Sequence, residues 1–144
     1  MNKETIKPQD TLIGIDYGEA KTGIALGRNS LVTPLQTFKN LSNEALIHEI
    51  IKTAVENKVS AFVLGIPLQA DRKETKQSLK VRGFAKLLKI LARKPVYMQN
   101  EFGTTEESIE EAISNGVPQS KRTSNDHLAA ALILKDFYRE QNDL

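Results

Sequence analysis

The run Ala61-Phe62-Val63-Leu64-Gly65 is apolar without interruption and lies between two segments of helical period. A strand with no polar alternation is buried on both faces, and flanking helices supply the cover. On its N-terminal side, Asn43–Lys58 carries Leu46, Ile47, Ile50, Ile51, Ala54 and Val55 on one wide apolar face. On its C-terminal side, a helix from about Thr75 to Leu91 gathers Phe84, Leu87, Leu88 and Leu91 on one face. These are βα units with parallel character.

The remaining chain fits around that unit. Leu12–Asp16 and Thr22–Leu26 are short apolar runs separated by a glycine-containing turn, which predicts a hairpin. Val32–Phe38 is a third strand, and Pro34 assigns it to a sheet edge or a bulge. Pro95–Met98 is a short strand leading to Glu101. Thr104 and Glu107 form a capping box for a helix that Gly116 and Pro118 stop. Val117–Ser124 is a basic loop, and a last helix runs from about Asn125 to Gln141. The expected fold is α/β, a mixed five-stranded sheet with its first three strands antiparallel, flanked by helices. At 144 residues it is one domain, 1–144, with flexible ends at about 1–10 and 142–144.

Composition removes several chemistries. There are no cysteines and only two histidines, His48 and His127, so disulfides, Cys-based zinc sites and His-rich metal sites are out. No apolar run reaches the roughly 18 residues of a membrane span. Met1–Thr11 is polar and has no signal-peptide core. The expected address is the cytoplasm, with no membrane partner.

Net charge is only +2, but it is unevenly spread. Arg72–Lys94 holds nine basic residues and one acid, Glu74, whereas Glu101–Glu111 holds five acids and no base. Such asymmetry points to a polyanionic partner. Arg82, Lys86, Lys89 and Arg93 lie opposite the apolar stripe of their helix and read as a solvated face. Lys73, Lys76 and Lys80 are nearer the helix start and the Gly65-Ile66-Pro67 loop, and are better phosphate contacts.

Three acids stand out. Asp16 closes an apolar strand; as an Asp-x-Gly element it serves equally well as a turn aspartate before Gly18. Glu101 follows a strand and precedes a helix start, where the macrodipole alone would favour an acid. Asp126 is in line with Ala130, Ile133 and Phe137 to within about 40° on a helix of 3.6 residues per turn. It therefore projects from an apolar face, and Ser124 and Asn125 already provide an N-cap. If the three converge, they make an oxygen-only site suited to Mg²⁺ or Mn²⁺. A pair of such ions about 3.5–4 Å apart clamps the attacking and leaving oxygens of a phosphodiester.

Four blocks, in order and over nearly the whole chain, resemble the YqgF/RuvX family. The first is Gly14-Ile15-Asp16-Tyr17-Gly18 with Lys21 and Gly23-Ile24-Ala25. The second is Val63-Leu64-Gly65-Ile66-Pro67-Leu68 with Val81-Arg82-Gly83-Phe84-Ala85. The third is Asn100-Glu101-Phe102-Gly103-Thr104-Thr105, and the fourth Asp126-His127-Leu128-Ala129-Ala130 with Ile133-Leu134. The resemblance implies an RNase H-like fold. It also implies a nuclease that matures the 5′ end of pre-16S rRNA in ribosome biogenesis, a family earlier assigned as Holliday-junction resolvases. Asp16, Glu101 and Asp126 match the family's catalytic, metal-binding acids. Gly18, Gly23, Gly65, Pro67, Thr104 and Thr105 match its motif positions. Lys21 stands for a family arginine, Asn100 for an aspartate, Phe102-Gly103 for Arg-Leu, and Arg72 where glycine is frequent. The first change keeps charge but loses the bidentate fork. The changes at Asn100 and Phe102-Gly103 remove an acid and a guanidinium beside Glu101, and together the departures imply altered substrate choice, weak activity or a degenerate enzyme.

The reading that combines these features is a metal-dependent nuclease using weakly bound Mg²⁺ or Mn²⁺. Its partner is structured RNA or branched DNA, and it works as a monomer or weak homodimer. Lys21, Lys73, Lys76, Lys121 and Arg122 are expected to rim the site and contact phosphates. The alternatives are a Holliday junction resolvase-like DNA nuclease or a non-catalytic nucleic-acid-binding module. An actin- or hexokinase-type phosphotransferase needs two lobes and meets neither the length nor a Walker-type loop.

Overall fold

The computed structural model describes residues 6–68, 73–101 and 126–142. In order these form β1 (Leu12–Asp16), β2 (Lys21–Arg28), β3 (Leu31–Lys39), α1 (Asn43–Glu56), β4 (Ala61–Ile66), α2 (Lys76–Ala92), β5 (Val96–Asn100) and α3 (Asp126–Asn142). The helix expected from Thr104 and the basic loop Val117–Ser124 lie outside the described residues.

The five strands form one sheet in the order β3-β2-β1-β4-β5. β1, β2 and β3 pair antiparallel, whereas β4 joins β1, and β5 joins β4, in parallel. Asp16 is thus at the end of the central strand, opposite Gly23 of β2. Pro34 is accommodated twice over. β3 is the sheet edge, and the pairing steps from Ile24–Gln36 to Ala25–Pro34, leaving Leu35 as the bulged residue.

Strand alternation divides the core into two layers. Ile13, Ile15, Ile24, Phe62, Leu64 and Ile66 face α1 and α2, meeting Leu46, Ile47, Ile50, Val81, Phe84 and Leu88. Leu12, Ala25, Ala61, Val63 and Tyr97 face α3, meeting Ala130, Ile133, Leu134 and Phe137. The line Ala130, Ile133, Phe137 is completely buried, as its helical spacing requires. Two flanks differ from expectation. Val55 is 69% and Leu91 49% exposed, because the sheet covers the Leu46–Ile50–Ala54 and Val81–Phe84–Leu88 lines and not the edges beside them.

Local chemistry fixes the helix starts. The Ser42 side chain caps α1 by accepting from the Ala45 N–H at 3.2 Å. Thr75 and Ser78 form a reciprocal capping box on α2, which satisfies the wholly buried Ser78 hydroxyl. Arg93 in a left-handed conformation ends α2, and Pro95 follows it.

Candidate active site

The parallel strands β1, β4 and β5 all end at the same edge of the sheet, which is where an open α/β sheet places its ligands. At that edge Asp16 and Glu101 come together: their side chains hydrogen-bond to each other. Glu101 is held there by its backbone, whose N–H donates to the Ile66 carbonyl at 3.0 Å. Burial, and then the Asp16 carboxylate beside it, push the Glu101 carboxyl up to about 8. Glu101 therefore keeps its proton near neutral pH.

Gly65 makes this meeting sterically feasible. A Cβ at this position would sit 2.8 Å from Glu101 Oε1 and 2.9 Å from its Cδ, and would overlap Ile133 of α3. Gly14, two residues before Asp16, plays the corresponding part for α3. A Cβ there would lie 2.5 Å from Leu134 Cγ and 2.9 Å from the Ala130 carbonyl oxygen. The helix consequently lies directly on the β1 backbone.

The direction of α3 brings its first residue to the site. Ala130 packs at Gly14, and Tyr138 packs at Gly27, which pairs with Leu12 at the far end of β1. α3 thus runs antiparallel to β1 and begins at the Asp16 end. His127 confirms the level, with Nδ1 at 3.3 Å from Thr37 Oγ1. Thr37 pairs with Gly23, and Gly23 with Asp16, so all three lie in one row across the sheet. Asp126 precedes His127 at the head of α3, on the layer shared by Gly65 and Glu101.

The basic residues divide less evenly. Lys21 opens β2 two residues from Gly23, exposed and on the same alternation as Gly23 and Ala25. Lys73 and Lys76 are exposed at the start of α2, which Thr75 ties to the end of β4 by donating from Oγ1 to the Pro67 carbonyl at 3.4 Å. They sit at the site's edge of the sheet, but in the α1/α2 layer. Lys80 makes an ion pair with Glu19 in the β1–β2 turn. Lys121, Arg122, Thr104 and Thr105 lie outside the described residues. Gly18 and Gly23 flank the turn, where Thr22 Oγ1 donates to the Gly18 carbonyl at 3.1 Å.

Register also relocates the departure at position 100. Asn100 pairs with Ile66 and shares its face, toward α1 and α2, whereas Gln99 pairs with Gly65 on the α3 face. Sequence reasoning missed Tyr17, which is buried, stacks on Phe84 at 4.2 Å and donates to Asn43 Oδ1 at 2.7 Å. Its stacking fixes the residue between Asp16 and Gly18, and only its aromatic type hinted at that.

Two adjacent carboxyls, one kept from ionising by burial and by the other, match an oxygen-only divalent-cation site. Positive charge is what would let both ionise. Among the described residues no group of three acid or histidine side chains forms a ready metal cage.

Comparison with known proteins agrees with this architecture. Residues 10–140 match the family model RuvX, described as Holliday junction resolvase. The chain belongs to the RuvX family. A Rickettsia canadensis relative named "Putative pre-16S rRNA nuclease" is 34% identical over 131 residues, covering 89% of this chain and 85% of its own. A Mycoplasma mobile relative of the same name is 32% identical, covering 87% of this chain and 89% of its own. The Thermus thermophilus RuvC structure matches with a TM-score of 0.61 at 15% identity, over 92% of this chain and 96% of that one. The fowlpox virus Holliday junction resolvase matches with a TM-score of 0.56 at 13% identity, over 91% and 98%. These likenesses establish the RNase H-like resolvase fold for this RuvX member.

Proposed function

We propose that this chain is a metal-dependent nuclease that hydrolyses phosphodiesters in structured RNA, with the 5′ end of pre-16S rRNA as its substrate. The observation that carries this reading is the Asp16–Glu101 carboxyl pair at the strand ends, with the head of α3 at the same level. The names of its relatives favour rRNA over a DNA junction and favour an enzyme over a binding module.

In this reading Asp16, Glu101 and Asp126 would hold Mg²⁺ or Mn²⁺. The cation would supply stabilisation of the charge that builds on the phosphate and would sharpen the nucleophilicity of water. Glu101, whose carboxyl burial and the neighbouring Asp16 push up to about 8, must give up its proton before both carboxylates could ligate. Lys21, Lys73 and Lys76, with Lys121 and Arg122, contact backbone phosphates and hold the scissile bond against the strand ends. The buried layers behind Gly14 and Gly65 keep the carboxyls from shifting, which is the positional precision that catalysis requires. No described helix is long and apolar enough to cross a membrane. We place this work on rRNA in the cytoplasm, by a monomer or weak homodimer.

The test is cleavage of labelled pre-16S leader hairpins beside four-way DNA junctions, each in Mg²⁺ and in Mn²⁺. Metal-dependent cleavage of the RNA at a defined position, with junctions cut more slowly, is the expected result. Junction cutting in preference to RNA would reassign the substrate.

A further inference from the structure

Along the side of the molecule formed by β5 and α2 runs a groove of about 270 Å³, lined by Arg82, Ala85, Lys86, Lys89, Val96 and Met98. It lies in the α1/α2 layer, away from the carboxyl pair. Its floor is apolar, made by the half-buried Val96 and Met98. Its wall is cationic. The sequence pattern assigned Arg82, Lys86 and Lys89 to an ordinary solvated face; the structure makes them one side of a concavity.

The charge on α2 is unlike that on its neighbours. α2 carries Lys76, Lys80, Arg82, Lys86 and Lys89 and no acid, whereas α1 mixes Glu44, Glu49 and Glu56 with Lys52. Helix stability does not explain the bias. Lys89 in the last turn suits the helix dipole, but Lys76 in the first turn opposes it. Neighbouring acids absorb part of the charge: Glu74 takes both Arg82 Nε at 2.7 Å and Arg82 Nη2 at 2.9 Å, and Glu19 takes Lys80. Among the described residues no carboxylate pairs with Lys86 or Lys89. These two cations flank an apolar strip, which matches a nucleic-acid strand: phosphates for the lysines, sugar and base faces for Met98 and Val96.

We propose that this groove is a second nucleic-acid contact surface, one that grips the arm of the substrate beyond the scissile phosphate. The proposal rests on the nuclease reading above and adds to it a requirement for substrate length. β5 connects the two places, because Glu101 follows its last residue, and Met98 and Val96 lie three and five residues back. At about 3.3 Å per residue those positions are roughly 10 and 17 Å from Glu101. At about 3.4 Å per nucleotide along one strand of a duplex, the arm reaches the groove after roughly three to five nucleotides.

The experiment uses the full chain with Lys86→Ala and Lys89→Ala combined. Both residues are exposed on a helix, and alanine favours helix, so the variant folds. RNA hairpins with two-nucleotide and with ten-nucleotide extensions on either side of the cleavage site are compared for cleavage, affinity and salt dependence. We expect the variant to cut the short substrates at the wild-type rate. For the long substrates, the slope of log K against log salt should flatten by about two units, and affinity should fall by up to about sixtyfold at 0.1 M salt. Equal loss on short and long substrates would overturn the proposal, as would an unchanged slope on long ones. An unchanged slope together with lost binding of an acidic peptide would reassign the groove to a protein partner. If the wild type cleaves nothing, the nuclease reading has failed, and binding of the long RNA by wild type and variant still decides the groove.

Discussion

Glu101 hydrogen-bonds to Asp16 at the end of β1, and burial, then the charge of that neighbour, push its carboxyl from 4.5 up to about 8. The two residues are far apart in the chain and meet because β1 and β5 flank β4 in parallel. Two carboxyls so placed are stable together only with a shared proton or a cation between them.

This relationship sets the pH behaviour of the metal-free protein. Folding raises the Glu101 pKa, so the folded state holds that proton more tightly than the unfolded chain. Its contribution to stability is complete below about 4.5 and is lost as pH rises through about 8. Tm should therefore decline across that window, and Glu101→Gln should flatten the decline. Metal works the other way. Mn²⁺ must displace the proton, so the Tm increment it gives should grow from pH 6 to pH 8. Thermal melts of both proteins with and without Mn²⁺ check all three trends. Identical slopes in the wild type and Glu101→Gln would separate Glu101 from the effect.

Gly65→Ala should damage the site by forcing Glu101 and Ile133 apart. Overpacking of this kind costs about 1–3 kcal/mol, measurable by urea unfolding. The displaced carboxyl should also weaken Mn²⁺ binding. Gly83→Ala is the control, since a Cβ there meets nothing within 4 Å; it should leave metal binding unchanged.

The Thr37–His127 contact should position the head of α3. Thr37→Val removes one partly buried hydrogen bond, worth about 0.5–1.5 kcal/mol. Because Asp126 precedes His127, we expect kcat to fall while substrate affinity stays near wild type. Equal changes in both would mean that the contact serves stability alone.

The departures around Glu101 predict a slow enzyme that favours Mn²⁺. Phe102→Arg with Asn100→Asp should raise turnover more than affinity. Asn100→Asp by itself should give the smaller gain, because position 100 shares the face of Ile66 and not that of Gln99. Single-turnover rates of the double variant, of Asn100→Asp and of Phe102→Arg rank the contributions.

Much of this arrangement was legible in the sequence, and the rest was not for definable reasons. The end of β1 at Asp16, the Thr75 start of α2 and the inward line Ala130–Ile133–Phe137 all follow from local pattern. So did Pro34, whose missing N–H restricts it to an edge or bulge. Pattern gives the direction of a face but not how far its cover extends, so Val55 and Leu91 were misplaced. It cannot say that Gly65 is small because Glu101 lies across it, since that depends on strand order. Nor could it find the α2 groove, because spacing along the helix does not show that Val96 and Met98 of β5 lie beneath Arg82, Lys86 and Lys89.

The most direct measurement is single-turnover cleavage of a labelled pre-16S 5′-leader RNA by the wild type, Asp16→Asn and Glu101→Gln, with RNA binding followed in parallel. We expect metal-dependent cleavage by the wild type, a loss of more than about a hundredfold in each variant, and binding that persists in both. Cleavage by Asp16→Asn at the wild-type rate, or cleavage that survives removal of divalent metal, would contradict that expectation.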